Sequence, residues 1–167
     1  MKIRDRIKEL RRVKASELIS NPKNWRTHPQ HQQDALRGVL AEVGYADALI
    51  ARETPEGLML VDGHLRAETT PDSEVPVLIL DVTAAEADII LGTLDPLASM
   101  AEADTEALRE LVDGISITDE SIQSLLESVL EMNDAAILEI ESPEAFPEVD
   151  ENLETSFRCP KCDYEWS

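Results

Sequence analysis

Val61-Asp62-Gly63-His64-Leu65-Arg66-Ala67-Glu68 decides how this chain is read. Leu58-Met59-Leu60-Val61 enters it as a short apolar run of strand formers, and Leu65 to Thr69 leaves it as one or two helical turns before Pro71. A strand that ends in glycine and opens a helix is a place where anions bind. The first backbone N–H groups of such a helix have no partner inside it and point outward at the positive end of its dipole. Gly63 lets a ligand approach the backbone. His64 and Arg66 add donors, and the arginine fork suits phosphate. The same residues also fit a plain strand–helix turn with a satisfied His and a surface Arg.

Working outward, Ala48-Leu49-Ile50-Ala51 reads as a strand, and Thr54-Pro55-Glu56-Gly57 as the turn that pairs it with Leu58–Val61 in an antiparallel hairpin. Gln30 to Val43 is a helix, with Leu36, Val39, Leu40 and Val43 on one face and Gly44 at its end. Upstream, Asp5 to Leu10 reads as a short basic helix, Arg12-Val13-Lys14 as a first strand and Ser16–Ile19 as a helical turn ended by Asn21-Pro22. Asn24 to Pro29 is loop. Trp25 there reads as a packing anchor rather than a base-stacking platform, because large aromatics usually bury themselves. Arg26 is the best second donor for a bound anion, whereas His28 and His31 read as surface polar residues.

Downstream, Val75–Leu80 is a strand in which Pro76 suits an edge or first position. Thr83-Ala84-Ala85-Glu86 is a capping box opening a helix whose Ala87, Ile90, Leu91 and Leu94 form a buried face and which Asp95-Pro96 stops or kinks. Asp104 caps a helix over Thr105–Val112, with Leu108, Leu111 and Val112 inward and Asp113-Gly114 at its end. Thr118 caps another over Asp119–Met132, with an apolar stripe of Ile122, Leu125, Leu126, Val129 and Leu130. That stripe closes the domain's own core or serves as a dimer face.

Asp62-Gly63-His64-Leu65-Arg66-Ala67 resembles the phosphate-binding box of the ParB/sulfiredoxin superfamily. The box reads G-E-R-R in chromosome-partition ParB proteins, G-G-C-H-R in sulfiredoxins and D-G-H-H-R in free-serine kinases. Asn21-Pro22-Lys23-Asn24-Trp25-Arg26 resembles the N-P-x-N-x-R segment before the first helix of ParB-like domains. The resemblance covers roughly residues 11 to 100 and is nearest to the stand-alone ParB-like proteins of phages and mobile elements. It implies a nucleoside triphosphate held with Mg²⁺ by Gly63, His64, Arg66, Arg26 and Asn24. Asp62 stands where the kinases keep a carboxylate near the transferred phosphoryl group, so it is the candidate proton acceptor, with Glu68 one turn on as an assistant. His64 stands where sulfiredoxins carry their reactive Cys, which excludes that chemistry. Leu65 removes a His or Arg that relatives use on phosphate. Thr93-Leu94-Asp95-Pro96-Leu97 stands near the E-N-x-Q-R segment of the partition proteins without its Asn, Gln or Arg.

The net charge is -20 in 167 residues, and it is uneven. Residues 1–26 hold nine Lys/Arg against three acids, which leaves -26 for the remainder. Nucleic acid would have to meet the N-terminus, unless that segment pairs with the protein's own acids. In ParB proteins the DNA-reading helices follow the nucleotide domain, but the helices over 105–132 carry a single base, Arg109, so that role is rejected here. Hydrophobic residues make up 43% of the chain but aromatics only 4%, so the core is built from Leu, Ile, Val and Ala. No apolar run reaches the roughly 18 residues of a membrane span, and no signal peptide is evident. A cytoplasmic location is expected.

Glu139 to Glu154 holds seven acids, two prolines and no Lys or Arg, the composition of a disordered linker. Phe157–Trp166 resembles a zinc knuckle of the C-P-x-C-G-x-x-W kind. Cys159 and Cys162 supply two of the four ligands that tetrahedral zinc needs, and Asp163 replaces the usual Gly. A second chain could supply the other pair, His28 or His31 could contribute, or the thiols are free.

The expected fold is α+β, a ParB/sulfiredoxin-like small mixed sheet with packed helices, then a helical pair and a disordered acidic tail. The expected divisions are 1–100 for the nucleotide domain with its basic arm, 101–134 for the helical extension, 135–156 for the linker and 157–167 for the knuckle. The expected function is binding of a nucleoside triphosphate, with hydrolysis or phosphoryl transfer as the chemistry it allows, in phage or mobile-element DNA metabolism. The alternative is a non-enzymatic adaptor that meets a protein partner through its acidic linker and knuckle. A homodimer, and Zn²⁺ at the Cys pair, are options; direct DNA binding is expected to be weak or absent.

Overall fold

The computed structural model describes residues 3–135 and 157–166. From residue 136 to 156 the expected linker lies outside the described residues. The chain divides into two compact units, Met1–Ala135 and Ala136–Ser167.

Four strands build the sheet of the first unit: β1 (Ile7–Lys14), β2 (Leu49–Thr54), β3 (Gly57–Asp62) and β4 (Glu74–Leu80), in the spatial order β1-β4-β2-β3. β1 and β4 run antiparallel, as do β2 and β3, while β2 and β4 are parallel, so the sheet is mixed as expected. Val75, Val77 and Ile79 alternate along β4 and are fully buried. With Leu49, Ala51 and Leu60 they form the core, closed by Ala15 and Ala67. Pro76 is tolerated because the parallel register with β2 starts only at Val77, so its missing donor falls where β4 has a partner on one side. The expected hairpin is present. Thr54 pairs with Gly57 across a two-residue turn, its Oγ1 donating to the Gly57 carbonyl at 2.9 Å.

The N-terminal segment differs from expectation. Ile7–Leu10 is not helical but the first half of β1, paired with β4 across a register shift between Ile7 and Glu9. The mixed charges of this stretch are compatible with a helix, but the unpaired edge of a buried apolar strand offers its backbone a complete ladder, and that tertiary pairing wins. Its bases do meet the protein's own acids: Lys8 reaches Glu53 at 2.5 Å, Lys23 reaches Asp88 at 2.5 Å, and Arg6 grips Glu86 with both nitrogens at 2.8 and 2.9 Å. A 3-10 turn over Ala15–Glu17 then leads to Ile19, which bridges to Met59 and covers the outer edge of β3.

The helices are α1 (Gln30–Glu42), α2 (His64–Thr69), α3 (Ala84–Ser99), α4 (Thr105–Asp113) and α5 (Glu120–Ala135). The capping box at Thr83 and Glu86 opens α3 as expected. Arg6 and the Thr83 donors hold the Glu86 carboxyl down at about 2. α3 does not stop at Asp95-Pro96; it runs one turn further, and Met100 N–H closes on the Pro96 carbonyl. The buried line of α1 is Ala35 and Gly38 rather than the larger apolar residues, and Val43 is 68% exposed. Gly38 explains the shift. A Cβ there would meet Asp119 Oδ1 at 2.8 Å and Ile122 Cγ1 at 2.9 Å, so its absence lets the start of α5 press onto α1. The cap of α5 is Asp119, not Thr118: Asp119 Oδ1 accepts from the N–H groups of Ser121 at 3.0 Å and Ile122 at 3.1 Å. No described helix is long and apolar enough to cross a membrane.

In the second unit, β5 (Phe157–Arg158) and β6 (Glu165–Trp166) form a small antiparallel hairpin.

Candidate functional site

The turn from β3 into α2 is built on Gly63. Its φ of +91° is a left-handed conformation that side chains resist, and an added Cβ would lie 2.6 Å from Leu49 Cγ. Both constraints let the strand end turn into a helix directly over the core. His64, the first residue of α2, is only 5% exposed. Its Nε2 accepts a hydrogen bond at 3.2 Å from the backbone N–H of Asn21, which is itself buried. One bond therefore joins the two stretches on which the family resemblance rests. Nε2 is thereby an acceptor, so the neutral ring carries its proton on Nδ1. Burial pushes the imidazole pKa below its ordinary value, with Asp62 and Glu68 opposing the shift. As a donor to a ligand, neutral His64 has only its Nδ1–H to offer.

Asn21 also shapes the loop that follows. Its Oδ1 accepts from Lys23 N–H at 3.0 Å, and its carbonyl accepts from Asn24 N–H at 2.9 Å. The loop then lays Asn24, Trp25 and Arg26 beside the β3–α2 turn. Together with α3 they enclose a cleft of about 360 Å³, within the range of small-molecule sites. Asn24, Arg26, Asp62, Gly63, His64 and Arg66 all line it. Glu68 is exposed and is not among the lining residues.

Each arginine of the cleft is matched by carboxylate. Arg66, 18% exposed at its side chain, donates through Nη2 to Asp62 Oδ2 at 2.8 Å and through Nη1 to Asp47. Arg66 lowers the Asp47 pKa against the opposing effect of desolvation. Arg26 Nε lies 2.7 Å from Asp95 Oδ2 of α3, and its guanidinium carbon is 5.1 Å from the Trp25 ring centroid. Trp25 is not the buried anchor its size suggested: it is 59% exposed. Leu91 and Leu94 face this cleft instead of closing the core, and His28 and Leu36 also line it. Asp47 and Asp95 have no spacing signal in the sequence that ties them to the arginines. The one hint was position, since Asp95 lies in the segment that stands near the partition proteins' E-N-x-Q-R.

Among the described residues, no group of three or more His, Cys, Asp or Glu is gathered as a metal site. A Mg²⁺ ion here would depend on oxygens brought by a ligand. In the second unit, Asp163 adopts φ +59°, the left-handed turn that glycine normally fills, and its N–H donates to the Cys159 carbonyl at 2.9 Å. The Lys161 N–H and the neighbouring Cys162 lower the Cys159 thiol pKa. The pair could fill two of zinc's four positions.

No family model matches the sequence, and no curated protein matches it. Among solved structures, the fold is similar to the C-terminally truncated chromosome-partitioning protein ParB from Caulobacter crescentus complexed with CTP-gamma-S. The identity is 17%, 71% of each chain is covered, and the TM-score is 0.53. The same protein complexed to the centromeric parS site matches at 17% identity over 74% of this chain and 70% of that one, with a TM-score of 0.44. The first likeness establishes that this chain has a ParB-like fold.

Proposed function

We propose that this protein binds the phosphates of a nucleoside triphosphate in the cleft between the β3–α2 turn, the Asn24–Arg26 loop and α3. The observation that carries the reading is convergence: two arginines and a glycine turn, brought from two segments far apart in sequence, line one cleft of small-molecule size. A structure of the same fold that holds CTP-gamma-S supports it. The backbone of the Gly63 turn, which lines the cleft, would face phosphate oxygens. Arg66, already oriented by Asp62 and Asp47, would offer its fork from a fixed position. Arg26 would exchange Asp95 for phosphate. The Mg²⁺ that accompanies the nucleotide would be held by phosphate oxygens and water, and Asp95 would remain a competitor of phosphate for Arg26. Were a phosphoryl group transferred, Asp62 would be the proton acceptor, and Glu68 has no place in that step.

The adaptor reading has one observation in its favour: each cleft arginine already has an acid partner, so the free protein shows no uncompensated cationic site there. Thermal unfolding with ATP, CTP and GTP plus Mg²⁺ separates the two. A nucleotide at 100 times its Kd stabilises the fold by about 2.7 kcal/mol, and Arg66→Ala should abolish that gain. Absence of any shift in the unaltered protein would favour the adaptor.

A further inference from the structure

The pair α4 and α5 leaves two needs unmet, one apolar and one electrostatic. The spacing of Leu108, Leu111 and Val112 predicts an inward face, yet no residue of α4 is buried and Leu111 is 63% exposed. Ile122 of α5 is buried where it meets α1 at Gly38, whereas Leu125 and Met132 of the same helix are exposed. Val112, Ile115, Ile117, Gln123, Leu126 and Glu127 line a groove of about 160 Å³. That is below the roughly 300 Å³ at which small-molecule sites begin, and it suits the aliphatic side chains of a partner. The second need is charge. Residues 105–135 hold eight acids against one base. That base, Arg109, pairs with Asp134, the one ion pair on the two helices among the described residues. Glu127 therefore lines the groove without an ion-pair partner there.

We propose that this groove docks a cationic amphipathic helix of a partner protein. Its aliphatic side chains would fill the space between Val112, Ile115 and Leu126, and its Lys or Arg side chains would meet Glu127 and the other acids of the pair. Charge selects this occupant. A second copy would set two faces with the same acid excess against each other. Nucleic acid and anionic membrane are repelled for the same reason. An uncharged apolar partner would cover Glu127 and give it no counter-charge. A cationic helix meets both needs at once. The proposal owes nothing to the nucleotide cleft and stands or falls without it.

Fluorescence anisotropy of a labelled model peptide, with Leu and Lys set at helical spacing, tests this on the full chain. One control peptide carries Glu in place of Lys; another carries the same Leu and Lys in alternating order. The Lys helix should bind saturably and more tightly than either control, and added salt should weaken it. Ile115→Ser and Leu111→Ser should each weaken it about fivefold or more, and Glu127→Gln about twofold. Glu56→Gln, the same charge change at an exposed site on the β2–β3 turn, should leave it unchanged. Thermal unfolding checks that the variants fold; Leu111 is already exposed, so its variant decides the matter where Ile115→Ser disturbs the fold. Equal binding of either control, an affinity unmoved by the groove variants, or no binding of the Lys helix would overturn the proposal. So would a dimer in sedimentation equilibrium that Leu111→Ser dissociates, since the face would then belong to a second copy.

Discussion

Burial keeps the His64 imidazole neutral, and neutrality is what lets Nε2 accept the Asn21 N–H. The folded pKa is depressed, so the unfolded chain takes up a proton before the folded one does. The stability from this group is therefore fully present above the unfolded value of about 6.5 and is lost as pH falls through the lower folded value. His64→Ala should cost about 1–3 kcal/mol by orphaning a buried donor. His64→Gln, which can still accept, should recover part of that loss and flatten the pH dependence below 6.5, as measured by denaturant unfolding across pH. An unchanged slope in His64→Gln would contradict this role. At this scale the sequence was half legible. Gly63 announced a turn, and the turn is there. The role of His64 was not legible, because its partner is a backbone donor 43 residues away. Trp25 misled for the opposite reason: average burial favoured the core, and an aromatic held at a cleft departs from that average.

Among the elements, those with strong periodicity or capping chemistry read correctly: α1, the β2–β3 hairpin, β4, and the starts of α3 and α4. β1 was read only in its second half, Arg12–Lys14; the pairing of Ile7–Leu10 is set by β4 and only weakly by its own residues. Asp119 rather than Thr118 caps α5: it directly precedes Glu120, and its Oδ1 takes the N–H groups of Ser121 and Ile122. α3 matters most for function. By continuing through Pro96 it holds Asp95 against Arg26 and turns Leu91 and Leu94 into cleft wall. An acid that competes with the ligand for Arg26 lowers affinity. Asp95→Asn should therefore tighten nucleotide binding by about threefold or more, a modest gain in keeping with a partly exposed ion pair. A loss of affinity on calorimetry would instead make Asp95 part of the ligand site.

For the whole molecule, the α+β class with a mixed sheet was readable from element order and the central box, and the likeness at a TM-score of 0.53 agrees. The net charge of -20 is distributed so that the basic N-terminal segment is largely matched by the protein's own acids. Arg109, the only base of α4 and α5, pairs with Asp134. The site was harder to read than the fold because it is assembled from three segments far apart in sequence, and the acids that tune it follow no local pattern. Its location can be tested directly by amide NMR on the full chain titrated with CTP and Mg²⁺. Shifts should concentrate at Asn24–Arg26, Gly63–Arg66 and the end of α3, leave α4 and α5 unmoved, and vanish in Arg66→Ala. Saturable shifts elsewhere with none at Gly63–Arg66, or no shifts at all, would contradict nucleotide binding in this cleft.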